Sequence, residues 1–106
     1  MFNFLKRNTG KSIHVNDIDG LIGTINLIDI REPSEFRTGS IKTAKNIPMN
    51  TLLSNPEKYL KKDQSYYLVC HSGARSQSTC SQLIKAGYDV TNVVGGIGSY
   101  VGSKRQ

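Results

Sequence analysis

The stretch Cys70-His71-Ser72-Gly73-Ala74-Arg75-Ser76 holds the residue types and spacing best suited to chemistry. A cysteine at the start of a glycine-containing polar turn can be ringed by backbone N–H groups that point at its sulfur or at an adjacent anion. A helix beginning near Arg75 adds partial positive charge at its N-terminus, and Arg75 adds a full one. All three effects favour thiolate over thiol and draw the Cys70 pKa below the ~8.5 of a free cysteine. An average cysteine is a small buried hydrophobe; the flanking His71, Ser72, Gly73 and Arg75 argue against that for Cys70. Cys80 falls on an apolar helical spacing with Leu83 and Ile84 and reads as core. His71 could supply a general acid, but an exposed loop histidine is the simpler reading.

Secondary-structure elements must hold that loop in place. Residues 66–69 (Tyr-Tyr-Leu-Val) read as a buried strand that delivers Cys70 at its carboxyl end, where open α/β sheets bind ligands. From 76 to 86 the apolar spacing becomes helical, and Gly87 suits a C-cap. Upstream, 12–15 reads as a short strand and 17–21 as a short helix N-capped by Asn16. The nearly continuous apolar run 26–30 fits a parallel strand covered on both faces. Pro33 opens a short helix over 34–37, and 44–47, ahead of Pro48, is a weak strand. Residues 50–62 carry helical spacing interrupted by Pro56. A last strand, 90–94, is broken by Gly95-Gly96, and 97–101 forms a short helix. Alternating strands and helices place the chain in the α/β class with a mostly parallel sheet. Asp29 closes its strand on the same side as Cys70, with Arg31 next to it. Arg31 could face the site, but an Asp29–Arg31 network that holds loops in place is the favoured reading.

The sequence has 106 residues, enough for one domain with an ordinary core. With 37% hydrophobic and 21% charged residues it is neither disordered nor a membrane bundle. No apolar run approaches the ~18 residues that span a bilayer. The opening Met1-Phe2-Asn3-Phe4-Leu5 stops at Lys6-Arg7, short of a signal-peptide core. A cytoplasmic protein without membrane contact is expected. The net charge of +6 is concentrated at the ends. Setting aside Lys6, Arg7, Lys11, Lys104 and Arg105 leaves nine basic against eight acidic residues, which argues against nucleic-acid binding. The division expected is a flexible basic segment 1–11, a domain over 12–102, and a short basic, frayed tail 103–106. Two cysteines and two histidines without metal-ligand spacing imply no disulfide framework and no metal site.

The Cys70–Ser76 loop resembles the active-site loop of the rhodanese family of sulfurtransferases. Residues 27–36 (Leu-Ile-Asp-Ile-Arg-Glu-Pro-Ser-Glu-Phe) are similar to that family's early D-x-R-E-x-x-E-F segment. Gly39-Ser40-Ile41 through Ala44-Lys45-Asn46-Ile47-Pro48 is similar to its G-H-I-x-x-A-x-N-I-P segment. Gly87-Tyr88 and Val93-Val94-Gly95-Gly96-Ile97 match its closing stretch. The resemblance runs over about 12–102, in order and in register. It implies a rhodanese-like domain, a central five-stranded, mostly parallel sheet flanked by helices on both faces. Ser40 stands where the family often has His, a change expected to remove a structural hydrogen bond near the site. Tyr100 stands where it often has Trp.

The resemblance also implies a double displacement through a persulfide on Cys70. Sulfane sulfur comes from thiosulfate or another persulfide donor and passes to a thiophilic acceptor: cyanide in vitro, a thiol or a sulfur-relay protein in the cell. No metal or organic cofactor is implied. The N–H groups of His71, Ser72, Gly73, Ala74, Arg75 and Ser76 form the anion-binding loop, and Arg75 forks to anionic donors. The protein is expected to be a monomer or weak homodimer. Two other functions compete. Rhodanese-like phosphatases carry a longer C-x5-R loop around a tetrahedral phosphate, whereas Arg75 here follows Cys70 as C-x4-R. A non-catalytic binding module is the other, and inactive relatives commonly lack the cysteine.

Overall fold

The computed structural model describes residues 10–106. Lys6 and Arg7, in the segment expected to be flexible, lie outside them. Among the described residues five parallel strands form one sheet in the order β1-β5-β4-β2-β3. They are β1 (Lys11–His14), β2 (Asn26–Asp29), β3 (Lys45–Asn46), β4 (Ser65–Val69) and β5 (Asp89–Val94). The helices are α1 (Pro33–Arg37), α2 (Met49–Ser54), α3 (Ala74–Lys85) and α4 (Gly96–Ser99). The α/β class and the parallel, five-stranded sheet are as expected. No helix among the described residues is long and apolar enough to cross a membrane.

Alternation along the central strands sends side chains into two cores. Ile28, Leu68 and Val90 pack with Leu52 and Leu83 under α2 and α3. Leu27, Val69 and Val93 pack with Val15, Ile18 and Ile97 on the opposite face. Covering both faces is what a parallel sheet requires, and it explains the continuous apolar run of β2.

Several boundaries differ from the sequence reading. The helix expected over 17–21 is two short 3-10 turns, Val15–Asp17 and Asp19–Leu21. Asn16 is not their N-cap; its side chain donates to the Ser99 carbonyl and accepts from Val101 N–H. The segment 50–62 forms α2 and then a 3-10 turn, Pro56–Lys58, because Pro56 cannot continue a helix. Lys11 begins β1 rather than ending a flexible segment, and its ammonium lies 2.6 Å from the Asp89 carboxylate. The end expected to fray is tied down. Residues 104–106 run antiparallel beside 40–42, with Lys42 N–H donating to the Lys104 carbonyl (2.6 Å) and Gln106 N–H to that of Ser40 (3.0 Å). Arg105 stacks on the Tyr100 ring. The Tyr100 hydroxyl donates to Asp19 at 2.5 Å and accepts from Lys104 N–H at 2.7 Å.

Candidate active site

β4 ends at Val69 and delivers Cys70 to the carboxyl edge of the sheet. The chain turns there and enters α3 through Gly73, whose φ of +101° favours glycine. Gly73 offers no side chain to cap α3. The thiol of Cys70 takes the capping role instead. Gly73 N–H and Ser76 N–H donate to Sγ at 3.1 and 3.3 Å, and both belong to the first-turn N–H groups that lack helical partners. The Ser76 hydroxyl lies 3.4 Å from Sγ.

A second turn sets the polarity of the loop. Ile97 N–H donates to the Cys70 carbonyl and Gly98 N–H to that of His71, each at 2.8 Å. In a trans peptide the C=O and N–H point in opposite directions. Pulling the His71 carbonyl toward α4 therefore turns Ser72 N–H back to the sulfur, where it helps stabilise the thiolate. The close approach requires glycine at 96: its φ is +64°, and a Cβ there would lie 2.4 Å from the His71 oxygen.

Burial alone pushes the Cys70 thiol up. The Ser76 hydroxyl and the N–H groups of Ser76, Gly73 and Ser72 outweigh it and hold the thiol below its ordinary pKa. The sequence reading argued against a buried Cys70, yet the residue has 0% exposure and belongs to the core under α3. Its polar flank lies in the loop that covers it. Cys80 is in the same core, as expected; burial, with the charge of Cys70 adding to it, pushes its thiol up to about 12.

Arg75 does not stand free to fork onto a donor. Its two terminal nitrogens lie 3.0 Å from the two carboxylate oxygens of Glu35 on α1. This bond to Arg75 comes first, and Glu32 N–H second, in lowering the Glu35 carboxyl from 4.5 to about 2. Glu35 lies in the segment 27–36, but nothing in the linear sequence shows which cation it meets.

Asp29 and Arg31 form a network that ties the loops together. Arg31 donates to both oxygens of the fully buried Asp29 (2.8 to 3.1 Å), and to the Gly39 carbonyl at 2.7 Å. The expected loss of a hydrogen bond at Ser40 is corrected: its hydroxyl donates to Asp29 at 2.7 Å. Asn46 Nδ2 donates to the Asp29 and Arg31 carbonyls, joining β3 to the same corner. His71 is exposed, with its ring beside Gly98. Asn92 on β5 was missed; its Oδ1 accepts from the Ser76 hydroxyl at 2.5 Å. The available signal is one amide among the valines of an inner strand. Among the described residues no cluster of His, Cys, Asp or Glu could hold a metal ion.

Fold and site together define a parallel α/β domain with a cysteine held in a ring of backbone donors at the sheet's carboxyl edge. A profile of the rhodanese-like domain family matches residues 14–103, and the chain belongs to that family. It is 40% identical over 72 residues to a protein from Allochromatium vinosum named a sulfurtransferase, covering 67% of this chain and 66% of that one. It is 30% identical to a protein from Schizosaccharomyces pombe named a putative mitochondrial thiosulfate sulfurtransferase, covering 97% of this chain and 69% of the other. The chain thus spans about two thirds of the length of these relatives. The crystal structure of a rhodanese-like domain protein from Staphylococcus aureus superposes with a TM-score of 0.76 at 33% identity, covering 84% of this chain and 89% of that one.

Proposed function

We propose that this protein is a sulfurtransferase that carries sulfane sulfur as a persulfide on Cys70. The observation that carries the reading is the ring of donors from Ser72, Gly73 and Ser76 converging on one sulfur atom. The C-x4-R loop is wrapped around a single sulfur, a smaller object than the tetrahedral phosphate that a C-x5-R loop embraces. Relatives named as sulfurtransferases support the same class of reaction.

The reaction runs in two displacements. The Cys70 thiolate attacks the outer sulfur of thiosulfate. A Cys70 S–S bond forms, the thiosulfate S–S bond breaks, and sulfite leaves with the electron pair. The persulfide anion then occupies the field of the loop N–H groups. A thiophilic acceptor attacks the terminal sulfur; with cyanide, thiocyanate forms and the Cys70 thiolate returns. Each displacement conserves electrons, so no further oxidant or reductant is needed. In the cell the acceptor is a thiol or a sulfur-relay protein; one relative, from Bacillus subtilis, is named a putative sulfur carrier protein.

Intact mass after incubation with thiosulfate, and separately with a low-molecular persulfide, tests this. One added sulfur is expected on the wild type and on Cys80→Ser, and none on Cys70→Ser. Turnover of an aryl phosphate with no sulfur loading from any donor would overturn the assignment.

A further inference from the structure

The Ser76 hydroxyl has one hydrogen and three acceptors within reach. Asn92 Oδ1 lies at 2.5 Å, the Gly73 carbonyl at 3.1 Å and Cys70 Sγ at 3.4 Å. In the protonated site the thiol S–H points to Ser76 Oγ, and Ser76 passes its own hydrogen to Asn92. Ionisation removes the thiol proton to a buffer base and leaves its electron pair on sulfur. A Ser76 lone pair would then face a thiolate, so the hydroxyl must turn its hydrogen to Sγ. That turn leaves two acceptor oxygens, Ser76 Oγ and Asn92 Oδ1, in contact.

An amide resolves the conflict because it carries an acceptor and a donor on a nearly symmetric head. Half a turn of the Asn92 side chain puts Nδ2–H where Oδ1 stood. Asn92 lines a cavity of about 550 Å³ beside Ser72, Gly73 and Gln77. Among the described residues no hydrogen bond restrains Nδ2, so the turn breaks none there. The backbone stays fixed, since Asn92 pairs with Ser12 of β1 and Leu68 of β4.

We infer that Asn92 is a positioning residue whose amide turns over so that the Ser76 hydroxyl follows Cys70 between thiol and thiolate. The inference rests on the sulfurtransferase reading and adds a residue to it. The charged or titratable groups around Cys70 are Arg75 and Cys80 on α3, Glu35 on α1, Asp29 at the end of β2 with Arg31 after it, acting partly through Arg75, the neighbouring His71, and Lys11 of β1 across the cavity from Asn92. All remain in every variant below.

The test is the pH profile of thiolate absorbance and of iodoacetamide labelling at Cys70; Cys80, pushed up to about 12, stays silent. Asn92→Asp only accepts and holds the Ser76 hydrogen away from sulfur, so the midpoint should rise by about one pH unit or more. Asn92→Leu and Asn92→Ala release that hydrogen to sulfur, so the midpoint should stay or fall. In a Ser76→Ala background the Asn92→Asp rise should shrink by more than half, leaving only the direct effect of the added charge. Midpoints that move the same way in Asn92→Asp and in the apolar variants, or an undiminished rise without the hydroxyl, would overturn the inference. Sulfur loading of the wild type is measured in parallel. Failure to load counts against the sulfurtransferase reading alone, because the titration judges Asn92 in either case.

Discussion

The Glu35–Arg75 pair changes what Arg75 can do for an anionic donor, and charge deletion on either side makes the change measurable. In the wild type the fork is closed, both nitrogens lying 3.0 Å from carboxylate oxygens. The pair is neutral as seen by an incoming thiosulfate dianion. Glu35→Gln keeps an oxygen for the capping bond to Glu32 N–H and leaves a full positive charge on Arg75. Arg75→Met does the reverse and leaves the Glu35 carboxylate. A dianion roughly 6 Å from a unit charge, screened as in water, gains or loses about 1.4 kcal/mol; physiological salt halves that to ~0.7 kcal/mol. The expected KM for thiosulfate is about threefold below wild type in Glu35→Gln and about threefold above it in Arg75→Met. The double variant returns near wild type. A neutral-headed persulfide donor should show none of this ordering. A large KM increase in Arg75→Met that persists in the double variant would refute the reasoning, because it would mean that Arg75 leaves Glu35 to grip the donor.

The same pair contributes to stability with a defined pH dependence. The Glu35 carboxyl is lowered from 4.5 to about 2 in the folded chain. Counted in full, that is about 3 kcal/mol. Both side chains are more than a third exposed, so solvent screening leaves ~1 kcal/mol. A depressed carboxyl stabilises fully above its unfolded value. The stability gap between wild type and Glu35→Gln should therefore be constant above about pH 5, and close as pH falls from 4.5 toward 2.

Three further outcomes are expected. Iodoacetamide should modify Cys70 with a midpoint below the ~8.5 of a free thiol, at a plateau rate slower than that of a small thiol because the residue is covered; mass spectrometry should find Cys80 unmodified. Asp29→Asn leaves the buried Arg31 guanidinium without its charge partner and should cost about 3–5 kcal/mol, whereas Ser40→Ala should cost ~1–2 kcal/mol, both read by urea unfolding. Gly96→Ala drives a Cβ to 2.4 Å from the His71 carbonyl; it should lower Tm and, in the fraction that folds, raise the Cys70 midpoint by tilting Ser72 N–H away from sulfur.

The parts of this site legible in the sequence are those governed by local geometry. Cys70 and the donors of Gly73 and Ser76 lie within one turn, so residue type and spacing determine their relation. Short apolar runs alternating with segments of helical spacing likewise reveal the strands, their parallel class and the helix carrying Cys80. Partners far apart in sequence were not legible. Glu35 meets Arg75 across 40 positions and Asn92 meets Ser76 across 16. Arg105 pairs beside Ile41 although its own segment, basic and short, reads as a frayed end. No local property of a guanidinium says whether a carboxylate or a substrate will occupy it. The burial of Cys70 escapes the sequence for a related reason. Polar neighbours in sequence suggest exposure, whereas their backbones fold over the sulfur and place their side chains elsewhere.

In the sequence Gly95-Gly96 breaks the last strand and Ile97-Gly98 opens a short helix; the role of this turn follows from the rigidity of the peptide plane. A loop of this length could present either carbonyls or N–H groups to Cys70, and carbonyls would repel a thiolate. Two carbonyls, those of Cys70 and His71, are held outward by N–H groups of Ile97 and Gly98. Planarity then commits Ser72 N–H to the sulfur side, and the start of α3 commits Gly73 and Ser76 N–H to the same point. Electrostatic stabilisation by fixed dipoles needs donors that are aimed before charge develops. Here the aim is set by residues 97 and 98, whose side chains take no part in it. The ring of donors around Cys70 is therefore built by two segments almost 30 positions apart, and only one of them carries a residue with chemistry of its own.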